Sequence, residues 1–375
     1  MALQDIRILV ALDFGTTYSG FAYVHKENPD NIETNHTWPG REGVFKTPTA
    51  LLYNETYTQV KSWGDLALEE EPEYMVDDSE ERSRPIELFK LHISDLKDNQ
   101  KPWLPSQLNY KKAIEDYLTQ MQILIKSTLE RRWPAIRFPQ QVGFVLTIPA
   151  EWPNNTTGIM RECAYKAGLL STLNSAHLEF TTEPEAAALY CLNVVKEHNL
   201  HPGDSFLVAD CGVPALPIAA VVRGAVAYGL NVEIVQERVL KWTYGIEVCR
   251  SWVSGKDKKN RRTHDGLIFY FYKLAQRRTK VDVDRKFSGE FSPVRADQTH
   301  IVFNVYYTRN DFAKYCNESG MKLLGTLRIN TPDTHFGLNR QIEFSLTFAK
   351  MEIKATAKNK RNGKTYDETT FELDI

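Results

Sequence analysis

The sequence predicts an α/β unit followed by an all-β unit. Up to Val239, short apolar runs alternate with helical patterns; beyond it, the apolar runs are β-like and separated by turn-rich pieces. The charge changes sign at the same place. There are 21 basic and 32 acidic residues up to Val239, a net of -11, and 25 basic and 16 acidic residues after it, a net of +9. A chain of 375 residues with 42% hydrophobic and 11% aromatic content is globular and long enough for separate cores, so two domains, 1–239 and 240–375, are expected.

In the first unit, Ile6 to Leu12, Val142 to Ile148 and Phe206 to Ala209 read as short buried strands, and Phe21 to Val24 reads as the second arm of a hairpin. Ile114, Leu118, Met121, Ile125 and Leu129 recur at spacings of four, three, four and four, which marks one face of a helix. Glu69 to Glu81, with eight carboxylates, reads as a solvated loop or an exposed helix face. In the second unit, Ile301 to Tyr307, Leu323 to Ile329, Ile342 to Phe348 and Glu352 to Ala357 read as strands. Asn362-Gly363 marks a hairpin into Thr369 to Leu373, because both turn positions need positive φ. A β-sandwich of roughly 130 residues follows from that spacing.

Several function classes are excluded at this level. A net charge of -2 speaks against a whole-chain binder of nucleic acid or anionic membrane. The basic run Lys256 to Arg262 has no interleaved aromatic and reads as a solvated turn. Cys163, Cys191, Cys211, Cys249 and Cys316 are scattered and contain no Cys-x-x-Cys pair, which disfavours a disulfide framework or zinc ribbon and fits a reducing compartment. Asp5 and Arg7 break the first apolar run, and the longest, Val213 to Val222, is too short to span a bilayer. A cytoplasmic location with no membrane partner is therefore expected. His198 and His201 stand at helical spacing, but Pro202-Gly203 turns that stretch into a loop.

One stretch points to chemistry. Leu12-Asp13-Phe14-Gly15-Thr16-Thr17-Tyr18 follows the first strand directly. Such a turn offers backbone N–H groups and hydroxyls to phosphate oxygens, and an Asp at the strand end can hold a hydrated Mg²⁺. Gly and Thr also simply make turns. Asp13-Phe14-Gly15 occurs in kinases too, but neither a Gly-rich loop nor a His-Arg-Asp loop accompanies it. Further on come Val142 to Trp152, Met160 to Leu169, Phe180-Thr-Thr-Glu183-Pro184-Glu185, Phe206-Leu-Val-Ala-Asp210-Cys211-Gly212, and Ala219 to Leu230.

In this order and spacing these segments resemble the nucleotide-binding domain of the seventy-kilodalton heat-shock chaperones, in the divergent branch found in animals and fungi. Tyr244 to Glu247, Val305 to Thr308, Leu324 to Ile329 and Ile342 to Ala357 resemble that family's peptide-binding β-sandwich. The resemblance implies an actin-like, ribonuclease H-like α/β ATPase core followed by a C-terminal β-sandwich. It implies ATP or ADP with Mg²⁺ as ligand, and unfolded or extended polypeptide and co-chaperones as partners. Asp13, Gly15, Thr16, Thr17, Tyr18 and Gly212 would contact the nucleotide. Asp13 and Asp210 would hold the metal through water, and Glu183, Asp210 and Lys90 would serve catalysis. A solvated surface role is the competing reading of Lys90.

The sequence departs from the family at one place. Gly212 is followed by Val213-Pro214-Ala215-Leu216-Pro217 and then at once by the closing-helix pattern, so almost all of the second nucleotide-binding lobe is missing at 212–219. Pro214 and Pro217 lack backbone donors and do not extend a strand into a sheet interior. The junction reads as two ends brought together by a deletion or a missed exon. Half a phosphate clamp loses binding and preorganisation, so impaired nucleotide binding and hydrolysis are expected. The competing reading is a non-catalytic interaction module whose sandwich binds partners without nucleotide control.

Overall fold

The computed structural model describes residues 6–69, 84–94, 96–150, 152, 156–194, 219–331, 333–349, 352–361 and 363–372. The chain divides into two compact units, Met1–Ile234 and Val235–Ile375. The acidic stretch beyond Glu69, the Phe206 to Ala209 segment, His198 and His201 lie outside the described residues.

The first unit is mixed α/β. Its main sheet runs in the order Leu178–Thr182, Val142–Ile148, Ile8–Phe14, Tyr18–His25, Glu33–Thr34, and Thr47–Pro48 also pairs with Tyr18–His25. Val142–Ile148 lies parallel to both Ile8–Phe14 and Leu178–Thr182, whereas Ile8–Phe14 and Tyr18–His25 form an antiparallel hairpin. The two central strands are buried at every residue, as strands covered on both faces must be. The first strand runs over Ile8–Phe14 rather than Ile6 to Leu12: pairing with Val142 starts only at Ile8, and the hairpin ladder continues to Phe14 opposite Ser19. Asp13 thus belongs to the strand and not to the turn.

The periodic helix is Tyr110–Arg132. Asn109 caps it by accepting the Lys111 N–H at 2.9 Å, and its buried residues include all five periodic positions. It also buries Tyr117, whose ring lies 5.7 Å from Phe14, 5.6 Å from Trp63 and 6.0 Å from Phe89. Helix Ala220–Leu230 packs on the helix Glu183–Val194 and on the central strands. Two glycines set that seat: a Cβ on Gly224 would stand 1.7 Å from the Ala186 carbonyl oxygen, and one on Gly229 would stand 2.5 Å from Leu9 and 2.6 Å from Val145.

The second unit contains two four-stranded antiparallel sheets. One has the order Leu267–Ala275, Thr243–Ser251, His300–Thr308, Lys322–Asn330, and the other Arg285–Phe291, Ile342–Ala349, Glu352–Asn359, Thr365–Glu372. Tyr244, Ile246, Phe303, Val305, Leu327 and Ile329 of the first share one core with Phe344, Leu346, Phe348, Ile353, Ala355 and Ala357 of the second. Phe303 stacks on Phe344 at 4.6 Å. Arg340, 2% exposed, donates to the carbonyls of Ala296 (2.8 Å), Gln298 (2.6 Å), Thr331 (2.9 Å) and Gly337 (2.8 Å), tying several turns together. The last hairpin closes where expected: Gly363 has φ 70° and donates to the Asn359 carbonyl at 2.9 Å, while Asn362 lies outside the described residues. Among the described residues no helix is long and apolar enough to cross a membrane.

Candidate functional site

Parallel pairing brings the carboxyl ends of Ile8–Phe14, Val142–Ile148 and Leu178–Thr182 to one edge of the main sheet. The crevice outside such strand ends is where open α/β sheets hold ligands. Asp13 lies at the first of these ends, Trp152 and Glu183 follow the other two, and Lys46 and Lys90 reach them from elsewhere.

The turn after Asp13 requires glycine, because a Cβ on Gly15 would stand 2.1 Å from the Tyr18 carbonyl oxygen. Thr49 pins the turn. Its hydroxyl donates to the Gly15 carbonyl (2.9 Å), its backbone N–H donates to the Thr17 carbonyl (2.8 Å), and it shares a hydrogen bond with the Ser19 hydroxyl (2.8 Å). Thr16 is half-buried, whereas Thr17 and Tyr18 are exposed, so the turn presents its tip to solvent.

Asp13 is 4% exposed and both of its oxygens are engaged. Oδ1 accepts the Thr147 hydroxyl at 2.9 Å, and Oδ2 accepts the Lys46 ammonium at 2.7 Å. A charge-assisted bond of that length is among the stronger kinds.

Lys90 sits in the short 3₁₀ turn Phe89–Ile93, entered through Leu88 at φ 57°, ψ 12°. A leucine in the left-handed region is strained, and Phe89 and Lys90, which follow it, are both buried. Lys90 is 1% exposed, which removes the surface reading. Its ammonium donates to the Phe14 carbonyl, stands 3.5 Å from Glu183 Oε1, and lies 4.5 Å from the Trp152 ring and 5.3 Å from the Phe14 ring. Burial pushes its pKa down, and the nearby carboxylates of Glu183 and Asp13 offset only part of that shift.

Glu183 opens the helix Glu183–Val194 directly after strand Leu178–Thr182. Thr182 and Glu185 cap that helix reciprocally: the Thr182 hydroxyl accepts the Glu185 N–H (3.2 Å), and Glu185 accepts the Thr182 N–H (3.4 Å). Burial pushes the Glu183 carboxyl up, against the opposing pull of Lys90.

The structure therefore brings together Asp13, Lys90 and Glu183, three residues far apart in sequence. Gly15, Thr16, Thr17 and Tyr18 form the adjoining turn. Asp210 and Gly212 lie outside the described residues. Lys46, Thr147 and Trp152 are not legible as site residues in the sequence; Thr147 comes beside Asp13 only through the pairing that sets Leu12 against Leu146.

The donor set also decides what fits. A hydrated divalent ion is implied between Asp13 and Asp210 by the family resemblance; Asp210 lies outside the described residues, and the Asp13 carboxylate does not fit such an ion as it stands, being almost fully buried with a cation on one oxygen and a hydroxyl on the other. Among the described residues no group of three or more His, Cys, Asp or Glu could hold a metal ion.

No family model matches this chain. It is 32% identical over 199 residues to the heat shock 70 kDa protein 12B of Homo sapiens, covering 49% of this chain and 28% of that protein. It is 33% identical over 203 residues to heat shock 70 kDa protein 12A of Mus musculus, covering 50% and 29%, and 31% identical over 203 residues to the human 12A protein. The chain is a divergent relative of the seventy-kilodalton heat-shock family. The match to these heat-shock proteins spans less than a third of their length.

Proposed function

We propose that the first unit is a heat-shock-type, actin-like nucleotide-binding core with most of its second lobe missing, and that hydrolysis is impaired. The second unit, on this reading, is a β-sandwich that holds extended polypeptide. The observation that carries the proposal is the convergence of Asp13, Lys90 and Glu183, from three separate sequence motifs: Asp13 and Glu183 lie at the carboxyl ends of two strands that flank Val142–Ile148, and Lys90 reaches them from its own turn. In this arrangement Lys90 supplies buried positive charge for an anionic ligand. Glu183, kept basic enough by burial to accept a proton, orients water. The sequence after Gly212 lacks the further glycines, Thr and Asp of a second phosphate clasp, which is the reason for expecting weak turnover.

That same junction supports a second reading, a non-catalytic interaction module in which the second unit binds partners without nucleotide control. A thermal-shift titration with ATP separates the two. A ligand-dependent rise that disappears in Asp13→Ala supports the nucleotide site; no rise with the parent chain leaves the interaction module. Mass spectrometry of trypsin-digested native protein tests the junction, since Glu197 to Arg223 contains no internal Lys or Arg and is expected as one peptide. A peptide continuing Asp210-Cys211-Gly212 into further glycines would overturn the missing lobe.

A further inference from the structure

The cation on Asp13 is part of the chain, and its approach is built into the fold. Lys46 immediately precedes Thr47–Pro48, which pairs with Tyr18 and Ser19 of the hairpin. The Tyr117 hydroxyl donates to the Pro48 carbonyl at 3.1 Å, so the backbone carrying Lys46 is fixed from both sides. The residue opposite Asp13 in the hairpin register is Gly20. A Cβ there would lie 2.8 Å from the Phe45 carbonyl oxygen and 3.3 Å from Lys46 Cγ, so the missing side chain is the space that lets the lysine stem cross the strand. The Lys46 side chain is 25% exposed, whereas that of Asp13 is 5% exposed: the ammonium stands between the buried carboxylate and the open side of the site. Its charge also acts on Lys90 and Glu183.

We infer that this site takes a phosphate-bearing ligand, a nucleoside triphosphate as the free anion, without a divalent cation, Lys46 serving as a tethered positive charge on Asp13. The inference rests on the nucleotide reading given above. A tethered ammonium neutralises Asp13 at no cost in bound metal, and it presents N–H donors to an anion where a metal would present coordinated water. A hydrated Mg²⁺ would first have to displace Lys46 and leave an ammonium without its partner, which is unfavourable for a part-buried pair.

The test is calorimetric titration of the full chain with ATP, in excess EDTA and in excess MgCl₂. Affinities equal to within about threefold are expected, and a loss of about tenfold or more in EDTA would overturn the inference while leaving the nucleotide reading intact. Absence of binding under both conditions overturns both. Mn²⁺ alone, followed by electron paramagnetic resonance, gives a readout independent of nucleotide. The parent chain is expected to leave Mn²⁺ free and Lys46→Met to bind it at the vacated carboxylate, with Lys46→Arg behaving as the parent. Mn²⁺ bound at Asp13 in the parent chain would overturn the inference.

Discussion

Replacing Lys90 by methionine should make the first unit less stable at pH 7 while removing ligand binding. Three contributions oppose one another. The ion pair with Glu183 at 3.5 Å is worth about 5 kcal/mol gross at an effective dielectric of about 20. The bond to the Phe14 carbonyl adds about 1.5–3 kcal/mol. Against them stands the desolvation of an ammonium that is 1% exposed, several kcal/mol. Removing the ammonium also leaves the part-buried Glu183 carboxylate and the Phe14 carbonyl without that partner, and this decides the sign. Methionine keeps the volume and packs against Trp152 and Phe14, which limits the net loss to about 1–3 kcal/mol, a fall of about 2–12 °C in Tm for a unit of this size. The linkage gives a second readout. A lysine whose folded pKa is depressed binds fewer protons folded than unfolded, so the parent chain gains stability as pH rises from its folded pKa toward 10.5. The deficit of Lys90→Met in urea unfolding should therefore widen from pH 7 to pH 10. A rise in Tm at pH 7, or a deficit independent of pH, would refute the reasoning and make Lys90 a net burden on the fold.

Other outcomes follow from the packing. Gly224→Ala places a methyl 1.7 Å from the Ala186 carbonyl oxygen, where two helices must separate, and should cost about 1–3 kcal/mol in urea unfolding of the first unit. Arg340→Met strips four carbonyls, one of them buried and three part-buried, of their donor and should cost about 2–4 kcal/mol, read as faster proteolysis of the second unit. The Cys163 thiol is pushed up to about 12 by burial, so iodoacetamide at pH 8 should leave it unmodified in the folded protein and label it after unfolding, as mass spectrometry would show.

What could be read from the sequence and what could not divides along a physical line. Asp13 and Glu183 were legible because each stands at a strand end inside a local pattern of strand, turn and helix. Tyr110–Arg132 was legible because its apolar spacing is strictly helical. Lys90 admits two readings in the sequence, since only tertiary burial distinguishes a solvated lysine from one seated under Phe14 and Trp152. Thr147 meets Asp13 through the parallel register that sets Leu12 beside Leu146, and Lys46 meets it through a gap left by a glycine 26 residues earlier; neither relation has a local signature. Strands Thr243–Ser251, Leu267–Ala275 and Arg285–Phe291 were not delimited either. The second exposes both Phe269 and Tyr272, which lie on opposite faces and blur the apolar-polar alternation, and the third is too polar for a periodic signal.

The seat of helix Ala220–Leu230 has a consequence for how such a chain can change length. Gly224 locks it to Ala186, and Gly229 locks it to Leu9 and Val145, so its position is set by neighbours that all precede Val194. Whatever polypeptide joins Val194 to Ala219 leaves from one helix and returns to the helix packed against it. The fold thus has a docking port with fixed ends, through which a long insertion can be gained or lost in evolution while the central strands keep their partners.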